Sequence, residues 1–274
     1  MSCNRFENKT VLVVGAGAGM GEATALQFAG EGAKVIALDI YQDRLDRLMG
    51  KAAGLPGSIE TYPGDICNVE TVNGVVELIK NKYGTLDTIA YVAGVMDFMC
   101  PPEEVDDELW DRVMDVNVKS VWRTVKTAIP LMKGHKGDSA NITIVSSLGG
   151  YVGSSSGTVY ITSKHAVEGL MKNLAFTYKD ENVRVNCVAP GAFATEINDT
   201  TMRMFPDRDF TNYKYGQCPE GVATYLSKGI GILNPQTNIG KPQYIADAIC
   251  FLSSNEAKFV NGASLIVDGG WYSA

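Results

Sequence analysis

Along most of this chain, short β-branched apolar runs alternate with longer stretches whose apolar positions recur every three or four residues. The runs TVLVVG (10–15), KVIALD (34–39), SIETYPGD (58–65), LDTIAYVAG (86–94), ANITIVSS (140–147), VRVNCVAPG (183–191) and ASLIVDGG (263–270) read as seven strands. They are short and mostly apolar, as suits parallel strands covered on both faces. Between them, the segments 19–32, 69–84, 106–132, 160–180 and 242–254 carry helical spacing. Strand then helix, repeated, implies right-handed crossovers and an α/β fold: a Rossmann-type doubly wound, seven-stranded parallel sheet with helices on both faces.

No repeat, composition break or low-complexity linker divides the chain, so residues 1–274 are expected to form a single domain. One segment breaks the rhythm. Residues 195–241 interpose a long stretch between a strand and the last helix, where an ordinary connection takes a few residues, and they read as a substrate lid.

With 274 residues and 45% apolar positions the chain can bury a sizeable core. The net charge of −7 and the lack of a long basic run argue against nucleic acid or an anionic membrane as partner. The six cysteines are scattered without a C-x-x-C pair and only two histidines are present, so no metal site is expected. No signal core or membrane-length apolar run is visible, and a cytoplasmic location is expected.

The first strand runs into Gly15-x-x-x-Gly19-x-Gly21 and then a helix. Glycines there permit a tight turn and close approach of a pyrophosphate to the backbone, at a helix N-terminus that favours anions. Asp39 closes the second strand, where a carboxylate can accept hydrogen bonds from an adenosine ribose and repel a 2′-phosphate. With Ala18 rather than a cation in the turn, NAD(H) is expected over NADP. Arg44, flanked by Asp43 and Asp46, reads as part of a solvated helix face. Asp65, ending the third strand, suits either the adenine edge or a helix N-cap.

Tyr160 and Lys164 lie four residues apart and share a helix face, so an ammonium near the phenol could favour the phenolate. Bringing a phenol from about 10 to neutral pH takes roughly 4 kcal/mol of differential stabilisation, which requires a preorganised pocket. His165 is turned about 100° away on the helix and is left out.

Taken together these residues resemble the short-chain dehydrogenase/reductase family over nearly the whole chain. The glycine motif matches at Gly15, Gly19 and Gly21, and Tyr-x-x-x-Lys matches at Tyr160 and Lys164. The serine thirteen residues before the tyrosine matches Ser147, with Ser146 as its neighbouring competitor, and the helical asparagine matches Asn117. The resemblance implies that Tyr160 acts as general acid in reduction and base in oxidation. It implies that Lys164 lowers the tyrosine pKa and holds the nicotinamide ribose, Ser147 binds the substrate oxygen and Asn117 holds a relay water. It also implies cofactor contacts at Met20, Ile66, Ala93, Gly94, Pro190, Phe193 and Thr195.

Two positions depart from the family pattern. Tyr91-Val92-Ala93-Gly94 stands where Asn-Asn-Ala-Gly is usual, losing the asparagine hydrogen bonds, and Val14 replaces a hydroxyl residue. Met202, Met204, Phe205, Phe210, Tyr213, Tyr215 and Tyr225 in the lid, with VMDFMC (95–100), suggest an apolar pocket. The expected substrate is a hydrophobic secondary alcohol or ketone, such as a hydroxysteroid or bile acid. A 3-oxoacyl-carrier-protein reductase and a non-catalytic dinucleotide-binding sensor or scaffold are the alternatives. The family likeness further implies a homotetramer built on helices 105–133 and 157–179 and the C-terminal strand.

Overall fold

The computed structural model describes residues 4–135, 137–153, 156–208 and 239–273. Seven parallel strands form one sheet: β1 (Thr10–Val14), β2 (Lys34–Asp39), β3 (Ser58–Pro63), β4 (Thr88–Tyr91), β5 (Ala140–Val145), β6 (Val183–Pro190) and β7 (Ser264–Val267). Their order is β3-β2-β1-β4-β5-β6-β7, so the sheet winds outward in both directions from the boundary between β1 and β4. This is the doubly wound sheet that the alternating pattern predicts.

Among the described residues, helices α1 (Gly19–Gly30), α2 (Gln42–Lys51), α3 (Val69–Tyr83), α4 (Asp107–Met114), α5 (Ser120–Ala128), α6 (Thr158–Tyr178), α7 (Ile197–Met204) and α8 (Pro242–Ser253) connect and cover the strands. The period-two alternation of β1 sends its residues to two cores. Val11 and Val13 pack with Ala25 and Phe28 of α1, Leu45 and Leu48 of α2 and Ile249 of α8. Leu12 and Val14 pack with Val75 and Ile79 of α3, Val121 of α5 and Met171 of α6. Both faces of the sheet are thus buried, which accounts for the nearly continuous apolar character of the strands.

The strands are shorter than their apolar runs at the carboxyl ends. Residues 64–65, 92–94 and 146 leave the ladder and become the rim of a cleft. The helical segment 106–132 is not uniform either: a π-helical turn, Asp115–Lys119, separates α4 from α5, and Ile129–Leu131 closes it as a 3-10 turn. Among the described residues no helix is long and apolar enough to cross a membrane.

Candidate functional site

The cleft opens at the carboxyl edge of the sheet where β1 and β4 part, the switch point at which open α/β sheets bind ligands. It encloses about 900 Å³. Gly15, Gly19, Met20, Gly21, Asp39, Asp65, Ile66, Ala93, Gly94, Tyr160, Lys164 and Thr195 all line it, as the sequence predicts. Pro190 and Phe193 do not: Pro190 is buried at the end of β6, and Phe193 pairs with Gly240 and packs into the α1-side core.

The glycines are required sterically. Gly15 has φ +81°, and a Cβ there would lie 2.7 Å from the Ala93 backbone; one on Gly21 would lie 1.8 Å from the Gly15 carbonyl oxygen. Helix α1 begins at Ala18 with no side-chain cap, so its first N–H groups face the cleft rim available to an anion. This glycine cradle, uncapped helix end and carboxylate at the end of β2 fit a dinucleotide.

At the adenosine end, Asp39 is buried. Its Oδ2 accepts the Gly17 N–H at 2.8 Å and its Oδ1 the Tyr41 N–H at 3.0 Å, so the carboxylate also holds the glycine turn. Asp65 lines the cleft, accepts the Cys67 N–H and pairs with Arg112 at 2.8 Å, while Asn68 occupies the N-cap of α3. Arg44 corrects the expectation of a solvated face. It is 2% exposed, lies over the Tyr41 ring, and donates to Asp199 at 2.7 Å and Thr200 at 2.8 Å on α7.

Tyr160 and Lys164 occupy the first two turns of α6 and face the cleft together, but not as simple partners. The Lys164 ammonium donates to the Val145 carbonyl at 3.1 Å and lies 5.5 Å from the Tyr160 ring centroid. Burial lowers its pKa to about 8, partly offset by Cys187 and Glu168. The Tyr160 phenol is pushed up from its ordinary value by burial and by Asp97, against a lowering hydrogen bond with Ser147. The direction of the shift favours the proton-donating form of the phenol. The lowering expected from the lysine is not among the causes of the shift, and desolvation sets its direction.

Ser146 and Ser147 are separated by this geometry. Ser147 lies beside the Tyr160 phenol, where it favours the ionised form, and its hydroxyl oxygen accepts the Gly149 N–H at 3.0 Å. Ser146 turns inward: its buried Oγ finds no hydrogen-bond partner and sits against Gly150, whose added Cβ would lie 2.8 Å from it. Asn117 lies on the π-helical turn, buried, with both ends of its amide engaged. It exchanges two 2.9 Å hydrogen bonds with the Val95 backbone and donates at 2.9 Å to Ser163. Its side chain therefore pins β4's loop to α6. His165 is exposed, as expected from its position.

The loss of the usual asparagine at Tyr91 is compensated differently. The Tyr91 hydroxyl, fully buried, hydrogen-bonds Ser120 just beyond the π-helical turn, joining β4 to the helix that carries Asn117. The apolar lining is more divided than expected. Val95 and Met204 line the cleft, whereas Cys100 and Phe205 are buried in a core cluster and Met202 is exposed. Phe210, Tyr213, Tyr215 and Tyr225 lie outside the described residues. Asp97, inside the run read as apolar lining, instead sends its carboxylate to the start of α6.

Residues 9–204 match the family model described as short chain dehydrogenase, and residues 218–272 match one described as enoyl-(acyl carrier protein) reductase. The chain is 35% identical over 268 residues to the 3-oxoacyl-acyl-carrier-protein reductase FabG of Thermotoga maritima, covering 97% of this chain and 98% of that protein. It is 32% identical over 263 residues to 3beta-hydroxysteroid dehydrogenase 2 of Eggerthella lenta, covering 96% and 94%. The crystal structure of a dehydrogenase/reductase from Sinorhizobium meliloti 1021 superposes with a TM-score of 0.80 at 26% identity, covering 98% of this chain and 97% of that one.

Proposed function

The chain belongs to the short-chain dehydrogenase family of oxidoreductases, and from that premise we propose that it interconverts a secondary alcohol and a ketone with NAD(H). The proposed substrate is hydrophobic, of the hydroxysteroid or bile-acid kind. The observation that carries this reading is the Tyr160 phenol beside Ser147, with the Lys164 ammonium 5.5 Å from its ring centroid, Tyr160 and Lys164 both lining the cleft at the switch point of the sheet.

A nicotinamide dinucleotide held in the cleft supplies or accepts the hydride. The chain's own work is with the proton. Burial keeps the Tyr160 phenol protonated, ready to donate to a carbonyl oxygen, and alcohol oxidation needs its phenolate and so gains with rising pH. The Ser147 hydroxyl offers the same oxygen a second hydrogen bond. Lys164 keeps a positive charge beneath the ring, and Asn117 locks Val95 and Ser163 so that the α6 face cannot drift.

Asp39 and the acidic balance support NAD, and likeness to the Eggerthella lenta enzyme supports a steroid-sized alcohol. A second reading, reduction of a 3-oxoacyl group on a carrier protein, is favoured by the likeness to the Thermotoga maritima reductase. Assembly as a homotetramer is supported by the apolar Trp110 and Trp122 on α4 and α5 and Phe176 on α6, all exposed. Buried thiols at Cys100, Cys187 and Cys250 suit a reducing cytoplasm.

The test is a panel of steroids, bile acids, cyclic and linear alcohols and 3-oxoacyl thioesters with both dinucleotides, read by nicotinamide absorbance. Activity on the hydrophobic alcohols, with lower KM for NAD, is expected. Tyr160→Phe should retain NADH binding and lose turnover by about 100-fold or more, the usual worth of a general acid. Undiminished turnover in that variant, or activity confined to polyols and sugars, overturns the reading.

A further inference from the structure

The first turn of α6, which carries Tyr160, lacks a cap of its own: Gly157 at the N-cap has no side chain, and the helix's leading N–H groups need acceptors. They find them on a segment sixty residues earlier in the chain. Asp97, wholly buried, takes the N–H of Gly157 on Oδ1 at 3.1 Å and those of Val159 and Tyr160 on Oδ2 at 2.9 and 3.0 Å. The Ser156 hydroxyl also reaches Oδ1, at 3.4 Å. The remaining Thr158 N–H goes to the Cys100 carbonyl, and the Cys100 N–H turns back to the Asp97 carbonyl, both at 3.0 Å.

The loop between them is strained. Phe98 and Met99 are consecutive non-glycine residues at φ +51° and +63°, a conformation kept only where surrounding contacts determine it. The approach is also close, since a Cβ on Gly157 would lie 2.5 Å from the Cys100 nitrogen and 2.6 Å from Asp97 Oδ1. The same loop holds Val95 to Asn117, and Met96 donates to Thr201 of α7 at 3.2 Å. It therefore meets three elements of the cleft at once.

Both Asp97 oxygens face N–H donors that cannot accept a proton, so the arrangement calls for a carboxylate rather than a carboxylic acid. An anion at a helix N-terminus offsets the partial positive charge there. That positive end would otherwise favour the phenolate of Tyr160, which lies on the same first turn.

We propose that Asp97 is a positioning residue for Tyr160: its carboxylate fixes the phenol's place in the cleft through the first turn of α6 and sets a fixed negative charge at the helix end that carries it. This rests on the oxidoreductase reading above. The other groups that bear on the pair are Ser147 and Lys164 around the phenol and, around Cys100 beyond Asp97, Glu104, Asp106 and Arg208.

Asp97→Asn, assayed as the full-length enzyme, should lower kcat for carbonyl reduction about tenfold or more with KM for NADH nearly unchanged. The acid limb of the kcat/KM profile for alcohol oxidation should move down by roughly half a pH unit or more, because the phenolate no longer faces an anion. Gly157→Ala, which pushes the helix off the carboxylate while keeping the charge, should lower kcat and shift the limb the same way by less. Folded variants with wild-type kcat and an unmoved limb overturn the proposal. Where neither variant folds, Asp97→Glu, which keeps the charge but moves the carboxylate by one methylene, decides: a lowered kcat with KM for NADH nearly unchanged supports the proposal, and wild-type kcat overturns it. Full turnover by Tyr160→Phe would instead sink the oxidoreductase reading itself, so the two failures are distinguishable.

Discussion

Arg44 donates to Asp199 across 2.7 Å, tying α2 to α7, both of which line the cleft. Around it Glu196 lies 3.5 Å from the same guanidinium, Arg47 pairs with Glu196, and Arg203 pairs with Asp43 while stacking on Tyr41. The guanidinium is buried, whereas its carboxylate partners are about half exposed. Removing a carboxylate therefore leaves a buried cation short of compensation, which costs more than removing the cation itself.

Asp199→Ala is expected to cost about 1–3 kcal/mol in urea denaturation, and Arg44→Met less than that. The double variant should recover much of the loss, with a coupling of roughly 1 kcal/mol or more. Additive costs would show that the pair contributes little to seating α7.

Lys164 should weaken the fold that it serves. Its folded pKa of about 8 lies below the ordinary 10.5 of the unfolded chain, because the buried ammonium is poorly solvated. Below pH 8 both states are protonated and the folded state bears the whole penalty. Between pH 8 and 10.5 the unfolded state binds more protons, so stability from this group rises with pH, and above 10.5 the penalty is gone. Lys164→Met is thus expected to lose turnover yet gain on the order of 1–3 kcal/mol at pH 7, less what the Val145 carbonyl forfeits. Thermal melts from pH 7 to 11 check this: the gain should shrink through the window, and a constant difference would contradict it.

The seven strands and the glycine cradle were legible because each depends on local pattern: β-branched runs, a tight turn, a helix start. Tyr160, Lys164, Ser147 and Asn117 were legible by spacing, but their electrostatics were not. The ammonium four residues from the phenol bonds the Val145 carbonyl, and burial, a property of the whole fold, sets the direction of the phenol's shift. Helix α2 carries little apolar periodicity, because QDRLDRLMGK offers only Leu45, Leu48 and Met49 to an apolar stripe. Arg44 looked solvated because its partners lie 155 and 156 residues away in sequence. Asp97 was masked by an apolar run, its partners sixty residues downstream.

Cofactor choice joins these strands of the argument. Asp39 places a carboxylate at the ribose end of the cleft, where a 2′-phosphate would meet repulsion, and it also holds the Gly17 and Tyr41 N–H groups. Arg44 lines the same cleft and is the nearby cation that could receive a 2′-phosphate, but its guanidinium is already engaged by Asp199, Thr200 and Glu196. Asp39→Asn alone should therefore narrow the preference for NAD by weakening NAD and relieving repulsion, without making a good NADP site. Adding Asp199→Ala frees the guanidinium, and kcat/KM for NADP should then rise by about tenfold over the single variant, as a charge-assisted contact of 1–2 kcal/mol allows. Parallel kinetics with both dinucleotides on the four proteins read this directly. An equal effect of Asp199→Ala on NAD and NADP would mean that α7 acts on the cleft as a whole and leaves the choice between them to Asp39.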